Sequence, residues 1–416
     1  MRRFGRVYLL FLAAIAWAAP PLSEYATRRA ELRKALPDSV VVVIGRTEKE
    51  SDDLRSGFFQ EPNFFYLTGW TEPGAALLLT PDQELFFIPN RDPEVEKWTG
   101  RKLAAGDPDV STRTGFETVR ATATLEAEIR SALQKHSKLY TVLKRPTTAG
   151  LRQLAPLREV SDASAAIAKL RMTKSAAELE MIRHATEVSM DAHRAAWKRI
   201  APGLYEYQVA NTMSATYFER GCERSAYTPI VGSGPNAVVL HYAQNNRRMD
   251  SGEVLLMDVA AECGGYTSDI TRTVPVNGKF TKRQREIYDI VLGAQEAAIA
   301  AVKPGMTLAK TGPNSLYQIA YEYINTHGKD KYGEPLGKYS THGLGHHVGL
   351  EVHDANDPAA PLAEGMVITI EPGIYIPEEN IGVRIEDVIV VTENGAKVLS
   401  GDLPREAGEI ERAVSK

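Results

Sequence analysis

The hydrophobic positions in the first part of the chain fall into short runs that predict buried strands. Residues 40–44 form a continuous β-branched run, which is typical of a strand covered on both faces. Residues 75–79 and 85–88 are apolar and are separated by a Pro-Asp-Gln turn, so they predict two consecutive strands. Residues 139–143 predict another short strand. Helical stretches alternate with these runs, so residues 24–160 have an α/β pattern.

The second part of the chain predicts longer helices separated by strand hairpins. Two helix starts have the sequence of a capping box, in which a Ser or Thr side chain and a Glu or Gln three residues later satisfy the first backbone N–H groups. Two predicted helices begin at Ser175 and Thr281, and two more occupy residues 205–220 and 314–327. Blocks of helices and antiparallel hairpins indicate an α+β domain. We place the domain boundary near residue 165.

The N-terminus has the pattern of a signal peptide. A cationic start, residues 1–6, precedes an apolar run, residues 7–19, and Ala16-Trp17-Ala18 has the small-x-small form of a cleavage site. The alternative is a membrane anchor, but this run has about 13 residues, whereas a spanning helix needs about 20. We therefore expect residues 1–18 to be removed and the protein to be periplasmic or secreted, with no membrane attachment after cleavage.

Composition and charge exclude several classes of protein. Hydrophobic residues make up 43% of the 416 positions and charged residues 25%, which is ordinary for a globular protein. The net charge of −4 gives no basic excess for nucleic acid binding. The two cysteines, Cys222 and Cys263, are too few for a disulfide framework or a thiolate zinc site. A single bridge between them stays open.

Two aspartates lie on opposite arms of a predicted hairpin. If Cys263 and Gly264 form the turn, Asp258 and Asp269 stand directly opposite each other; if Gly264 and Gly265 form it, they are diagonal neighbours on the same face. Carboxylates in either position repel unless a cation or a proton lies between them. Each aspartate taken alone would be interpreted as a turn or edge residue.

A second predicted hairpin repeats this arrangement with glutamates. Glu371 and Glu386 are equidistant from Glu378-Glu379, where we expect the turn. Glu386 could be a surface residue paired with Arg384, but its neighbours are mostly apolar, so we expect it to be buried. A buried carboxylate is costly without partners.

Histidines are concentrated between positions 342 and 353. The cluster contains His342, His346, His347 and His353, interspersed with Gly343, Gly345 and Gly349. Glycines allow backbone and ligand to approach closely, although such a cluster could also be a solvent-facing loop. His241 lies apart from the others.

Four carboxylates and one or more imidazoles suit a paired site for Mn²⁺, Co²⁺, Zn²⁺ or Fe²⁺. Two such ions about 3.5–4 Å apart can hold a hydroxide nucleophile and polarise a carbonyl. The remaining histidines can then donate hydrogen bonds and carry protons.

These residues lie in motifs that resemble those of the pita-bread-fold metallopeptidases, and among them the Xaa-Pro aminopeptidases (aminopeptidase P). The motifs are Leu255-Leu256-Met257-Asp258-Val259, Ser268-Asp269-Ile270-Thr271-Arg272-Thr273, residues 342–354, Ile370-Glu371-Pro372-Gly373 and residues 382–387, with residues 64–73 resembling the family's N-terminal domain. The resemblance implies an N-terminal domain over residues 19–165 and a catalytic pita-bread domain over residues 166–416.

The resemblance also implies a dinuclear metal centre, usually holding two Mn²⁺ ions. The matching metal ligands are Asp258, Asp269, His346, Glu371 and Glu386, of which Asp269 and Glu386 bridge the ions. The implied catalytic residues are His241, His342, His353, Glu371 and Arg384. Tyr375 matches a pocket residue, whereas His347 matches no role and is expected to be a packed or exposed residue.

In this family His353 would contact the scissile carbonyl, His241 the amide beyond it, and His342 the proline side of the pocket. Glu371 would act as acid and base, and Arg384 would hold the ligands.

The implied activity is hydrolysis of the first peptide bond of peptides with proline second, by a metal-bridging hydroxide in a homo-oligomer. The nearest alternative is a Xaa-Pro dipeptidase (prolidase). A methionine aminopeptidase would generally lack the N-terminal domain, and intact ligand positions oppose a catalytically silent binding protein.

Overall fold

The computed structural model describes residues 19–51, 57–143, 145, 148–156, 158–357 and 360–415. The predicted signal peptide, residues 1–18, lies outside the described residues. Among the described residues, no helix combines the length and apolar character needed to cross a membrane.

A six-stranded mixed sheet organises the first part of the chain. Its strands are β1 (Ser39–Ile44), β2 (Ala76–Leu79), β3 (Glu84–Ile88), β4 (Val119–Ala121), β5 (Lys138–Thr141) and β6 (Val160–Asp162), in the order β4-β3-β2-β1-β5-β6. The predicted strands at residues 40–44, 75–79, 85–88 and 139–143 are confirmed by β1, β2, β3 and β5. β2 and β3 pair antiparallel across their short turn, whereas β1 and β5 pair parallel.

Short helices accompany this sheet. They are α1 (Leu22–Ala35), α2 (Pro62–Thr68), α3 (Pro93–Thr99), α4 (Val110–Thr114), α5 (Leu125–Lys135) and α6 (Thr148–Leu154). α2 illustrates the local determinants: the Glu61 side chain accepts from the Phe64 N–H, and Gly69 ends the helix in a left-handed conformation.

Further helices follow, of which α8 and α10 are the longest: α7 (Ser164–Met172), α8 (Ala176–Arg199), α9 (Glu206–Glu219), α10 (Lys282–Ala301), α11 (Leu316–His327) and α12 (Ala407–Val414). Both predicted capping boxes are present. Ser175 and Glu178 exchange hydrogen bonds at the start of α8, as Thr281 and Gln284 do at the start of α10. Helices α9 and α11, for which no capping box was predicted, begin and end within two residues of their expected bounds.

Small antiparallel sheets lie among these helices. Their strands are β7 (Arg224–Ser225), β8 (Ile230–Ser233), β9 (Val254–Asp258), β10 (Ala261–Cys263), β11 (Tyr266–Thr267), β12 (Thr271–Pro275), β13 (Val367–Ile370), β14 (Gly373–Ile376), β15 (Ile381–Arg384), β16 (Asp387–Thr392) and β17 (Gly395–Val398). The sheets have the orders β12-β9-β8, β11-β10-β7, β13-β16-β17 and β14-β15. The α+β prediction is confirmed, with an α/β part before it.

Two apolar clusters explain how the elements of the second part pack and how the two parts of the chain are joined. The larger one fills the space between the hairpins and α8 to α11. A second cluster joins the two parts of the chain, because Phe64 and Leu67 of α2 share it with Met181 and Ile182 of α8. A disulfide between Cys222 and Cys263 ties the segment after α9 to β10, which settles the cysteine pairing that the sequence left open.

Candidate metal centre

The first hairpin places its two aspartates diagonally. Asp258 pairs with Thr271 in the β9–β12 ladder, so Asp269 lies two residues along the opposite arm. The turn falls on Gly264 and Gly265, whose φ values are 59° and 82°. The alternative with Cys263 in the turn is wrong, because Cys263 pairs with Tyr266 in the strand ladder. The positive φ at both turn positions is that of a type I′ turn, which glycine adopts without strain.

The second hairpin has the predicted register. Ile370 pairs with Asp387 and Gly373 with Arg384, so Glu371 and Glu386 lie opposite each other. The turn contains a 3₁₀ segment, Pro377–Glu379. Glu386 is only 1% exposed, which excludes the surface interpretation.

The two hairpins are connected at the candidate site. The Glu386 N–H donates to the Thr271 carbonyl (3.1 Å), and the Thr271 hydroxyl donates to Glu386 Oε2 (2.6 Å). Arg384 does not pair with Glu386 as the surface interpretation required; its Nη2 donates to Asp258 Oδ2 (2.5 Å), and its Nη1 donates to the Tyr375 hydroxyl (2.8 Å). One guanidinium therefore links both hairpins.

The histidine segment brings one imidazole to the carboxylates. His346 Nε2 lies 3.3 Å from Asp269 Oδ2 and 3.5 Å from Glu371 Oε1. Asp269, His346 and Glu386 each offer a ligand atom within 4.8 Å of the others. His346 is held from behind, because its N–H donates to the Thr369 hydroxyl (3.0 Å) and its carbonyl accepts from the Thr369 N–H (2.9 Å).

The protonation energetics show that this group of acids needs positive charge. Burial, together with the charges of Asp269 and Asp258, raises the pKa of Glu371 to about 7. Burial and the charges of Asp269 and Glu371 raise the pKa of Glu386 well above its usual value. Burial lowers and the hydrogen bond to Asp269 raises the pKa of His346, and the balance brings it to about 9. Buried, mutually repelling carboxylates beside an imidazole fit divalent cations.

The other predicted histidines line the same cavity of about 670 Å³. The ring of His353 stacks on that of His346 at 3.8 Å. His342 Nε2 lies 2.8 Å from the Tyr375 hydroxyl, and His342 Nδ1 lies 3.8 Å from Glu371 Oε2. Burial lowers the pKa of both His342 and His353 to about 4, which favours the neutral form of both rings at neutral pH. His241 is also in the lining.

His347 lies apart from the cavity lining and is buried, with 7% exposure, so of the two expected alternatives, packed or exposed, the structure shows the packed one. The glycine expectation is met at Gly345 and Gly349, where an added Cβ would lie 2.0 Å and 2.3 Å from other protein atoms. At Gly343, which lines the cavity, no protein atom lies within 4 Å of such a Cβ, so close approach of a ligand there stays a prediction.

Sequence reasoning missed Tyr227. Its hydroxyl lies between the carboxylates of Asp258 and Asp269, within hydrogen-bond distance of both. No local motif marks it, since it follows the two-residue strand β7 on a separate sheet. Thr369, which holds His346, was also missed. Its position two residues before Glu371 could have indicated it, because residues two apart on a strand lie on the same face.

Comparisons with known proteins identify the family to which both parts of the chain are similar. Residues 180–393 match the model of metallopeptidase family M24, and residues 25–140 match the N-terminal domain of aminopeptidase P. A Xaa-Pro aminopeptidase of Haemophilus influenzae is 34% identical over 95% of this chain and 98% of its own length. That of Escherichia coli is 31% identical over 92% of this chain and 95% of its own length.

Solved structures show the same fold. Pseudomonas aeruginosa aminopeptidase PepP has a TM-score of 0.86 at 30% identity, covering 95% of this chain and 98% of its own. Escherichia coli aminopeptidase P with the inhibitor Pro-Leu has a TM-score of 0.84 at 29% identity, covering 95% and 99%. The family match spans about half of the chain and relatives above 30% identity cover nearly all of it, so the protein belongs to metallopeptidase family M24.

Proposed function

We propose that this protein is a metal-dependent Xaa-Pro aminopeptidase that removes the first residue from peptides with proline in second position. The observation that carries the proposal is the convergence of both carboxylate hairpins and His346 in one cavity, in a chain similar to enzymes of that name. The N-terminal aminopeptidase P domain supports the same assignment.

Five residues would hold two divalent ions: Asp258, Asp269, His346, Glu371 and Glu386. Four carboxylates and one imidazole form an oxygen-rich donor set, which suits Mn²⁺ where that ion is available. When bound, such ions acidify a water molecule and polarise the scissile carbonyl.

The protein's own groups would then orient the substrate and move protons. Glu371 lies between His346 and His342 and is placed to accept a proton from the attacking water and return it to the departing proline nitrogen. His353 and His241 line the cavity as donors for the substrate's amide groups. Arg384 holds Asp258 and Tyr375 in place, which fixes the wall beside His342.

Proline in second position requires such a dedicated cavity. Its nitrogen carries no hydrogen, so recognition cannot rest on an N–H donor of the scissile bond. Ile230, Leu240 and Val352 supply apolar lining beside the polar groups.

Mass spectrometry of products tests the activity directly. Purified protein would be incubated with Xaa-Pro, Xaa-Pro-Xaa and Xaa-Ala-Xaa peptides, with and without Mn²⁺. We expect release of the first residue from Xaa-Pro-Xaa, little from Xaa-Ala-Xaa, and loss of activity in Asp269→Ala but not in the exposed control Asp289→Ala. Cleavage restricted to the dipeptide would instead indicate a prolidase.

The metal is tested by elemental analysis of protein purified without added metal or chelator. We expect two Mn²⁺ ions per chain in the parent protein and loss of metal in Asp269→Ala. Preferential loading with another metal would overturn the Mn²⁺ assignment without affecting the peptidase assignment.

Self-association is proposed from the surface of the N-terminal part. Helix α3 buries none of its residues, and Trp98 on it is 90% exposed. Aromatic residues such as Trp are enriched at protein interfaces relative to the rest of the surface. Light scattering of the parent protein and of Trp98→Ser should show an oligomer that Trp98→Ser weakens; a monomeric parent protein would contradict the proposal.

Export is proposed from the signal-peptide pattern of residues 1–18. The Cys222–Cys263 disulfide supports it, because disulfides persist in oxidising compartments. N-terminal sequencing of protein from the exported fraction should begin at Ala19. Full-length protein retained in the cytoplasm would refute this.

A further inference from the structure

A buried charge cluster lies behind the loop that carries His353. The Asp354 carboxylate lies between two cations: Arg171 Nη2 donates to its Oδ1, and Lys174 Nζ donates to its Oδ2 at 2.8 Å. All three side chains are at most 2% exposed. The charges of Lys174 and Arg171 overcome the effect of burial and lower the pKa of Asp354, so this carboxylate is ionised.

The loop from His347 to Asp354 folds around that carboxylate. The Asp354 N–H donates to the His347 carbonyl (2.8 Å), which closes the loop. The Gly349 α-carbon faces the carboxylate so closely that an added Cβ would lie 2.3 Å from Asp354 Oδ2. The Gly349 carbonyl accepts from the Thr267 N–H (2.8 Å) and hydroxyl (3.0 Å), two residues before Asp269.

The cluster also reaches the N-terminal part of the chain. Arg171 Nη1 donates to the side chain of Asn63 in α2 (2.8 Å), and Arg171 Nη2 also lies 2.9 Å from Glu351. Arg171 therefore connects α2, α7 and the loop with one guanidinium, whose fixed fork of donors suits several simultaneous acceptors.

His346, which precedes this loop, and His353, which lies near its end, differ in the contacts that hold them. His346 is held by its two hydrogen bonds to Thr369 on β13. In the part of the chain that the structure describes, the His353 ring stacks on His346 but has no hydrogen-bond partner. The position of His353 therefore depends on the backbone at Asp354.

We propose that Asp354 is a positioning residue for His353, and that the N-terminal domain takes part in the active site by fixing Asp354 through Arg171. This inference rests on the proposed function. Asp354 touches neither the cavity lining nor the candidate metal ligands through its carboxylate, so it acts on the reaction only through the loop.

The test measures steady-state kinetics of Xaa-Pro-Xaa hydrolysis in Asp354→Asn, His353→Ala and the double variant. Loss of the partner that orients a metal ligand costs about 10–100-fold in metal affinity or activity, and we take the same range for the partner that orients His353. We expect Asp354→Asn to lower kcat by about that factor, with KM and metal content close to those of the parent. In the double variant, kcat should match that of His353→Ala, because the positioning effect has nothing left to act on.

A second variant separates positioning from loss of charge. Gly349→Ala leaves every charge in place but pushes on the Asp354 carboxylate, so it should reproduce the loss of kcat. The control is Asp330→Asn, which removes another buried loop aspartate that pairs with Lys338 (2.7 Å) and accepts from two backbone N–H groups. Its kcat should equal that of the parent.

Several outcomes would overturn the inference. They are an unchanged kcat in folded Asp354→Asn or Gly349→Ala, losses that multiply in the double variant, an equal loss in Asp330→Asn, or loss of metal from Asp354→Asn. Failure of both Asp354→Asn and Gly349→Ala to fold would show that the cluster serves stability alone. A parent protein inactive on Xaa-Pro-Xaa would instead refute the proposed function.

Discussion

The buried pair formed by Arg272 and Asp387 offers the sharpest test of how the catalytic half is held together. Both side chains are fully buried, and Arg272 Nη2 lies 2.7 Å from Asp387 Oδ1. The same guanidinium donates to the backbone carbonyls of Thr271, Glu386, Leu403 and Pro404. It therefore joins the first hairpin, the second hairpin and the C-terminal segment.

Replacing Arg272 with Met should be costly because Asp387 keeps its charge in the interior. Asp387 would retain hydrogen bonds from Ser400 and Gln295, with Arg405 at 3.6 Å. Breaking a buried ion pair from one side typically costs about 3–5 kcal/mol. At about 2–4 °C per kcal/mol for a domain of this size, we expect the melting temperature to fall by about 6–20 °C.

Differential scanning calorimetry of Arg272→Met, Asp387→Asn and the double variant measures this. The double variant should be more stable than Arg272→Met alone, because it no longer buries a carboxylate that has lost its closest cation. A melting temperature within 2 °C of the parent for Arg272→Met, or further destabilisation in the double variant, would refute the reasoning.

Three further predictions follow from other contacts. The disulfide closes a loop with a sequence separation of 41 residues, for which chain entropy predicts a stabilisation of about 4 kcal/mol; Cys222→Ala/Cys263→Ala should therefore melt about 8–16 °C lower, and an unchanged melting temperature would contradict this. Burial and the charge of Arg272 lower the pKa of His193 from 6.5 to about 3. Between these two pH values, His193 is protonated in the unfolded chain but neutral in the folded chain. The stabilisation is complete above pH 6.5 and is lost as the pH falls towards 3; in urea titrations His193→Gln should lose stability less steeply over that range, and an equal slope would count against it. Gly345→Ala places a Cβ 2.0 Å from the Thr369 carbonyl oxygen, whereas Gly343→Ala meets nothing within 4 Å. Gly345→Ala should cost about 1–3 kcal/mol and reduce metal binding through His346, and equal effects of the two variants in calorimetry and elemental analysis would show that this contact is not the cause.

Local sequence signals determined the helices and the second hairpin. The capping boxes at Ser175 and Thr281 depend only on residues three positions apart, so the chain carries them wherever it folds. The opposition of Glu371 and Glu386 also followed from one short turn, because strand pairing extends the register set by that turn.

The tertiary structure decided what depends on contacts between distant segments. The sequence left the turn at Gly264 and the pairing of Cys222 with Cys263 open, and the support of His353 by Asp354 and Arg171 was not foreseen. Tyr227 reaches the aspartates from another sheet and carries no motif of its own.

The sequence by itself therefore determined which residue types supply the chemistry and the local elements that carry them. The tertiary structure decided which carboxylates meet, that Arg384 pairs with Asp258, and which glycines contact another chain segment. The physical reason is that local hydrogen bonds and hydrophobic periodicity involve residues only a few positions apart. Burial and charge pairing instead depend on residues that are distant in the sequence, such as Arg171 and Asp354, which are separated by 183 positions.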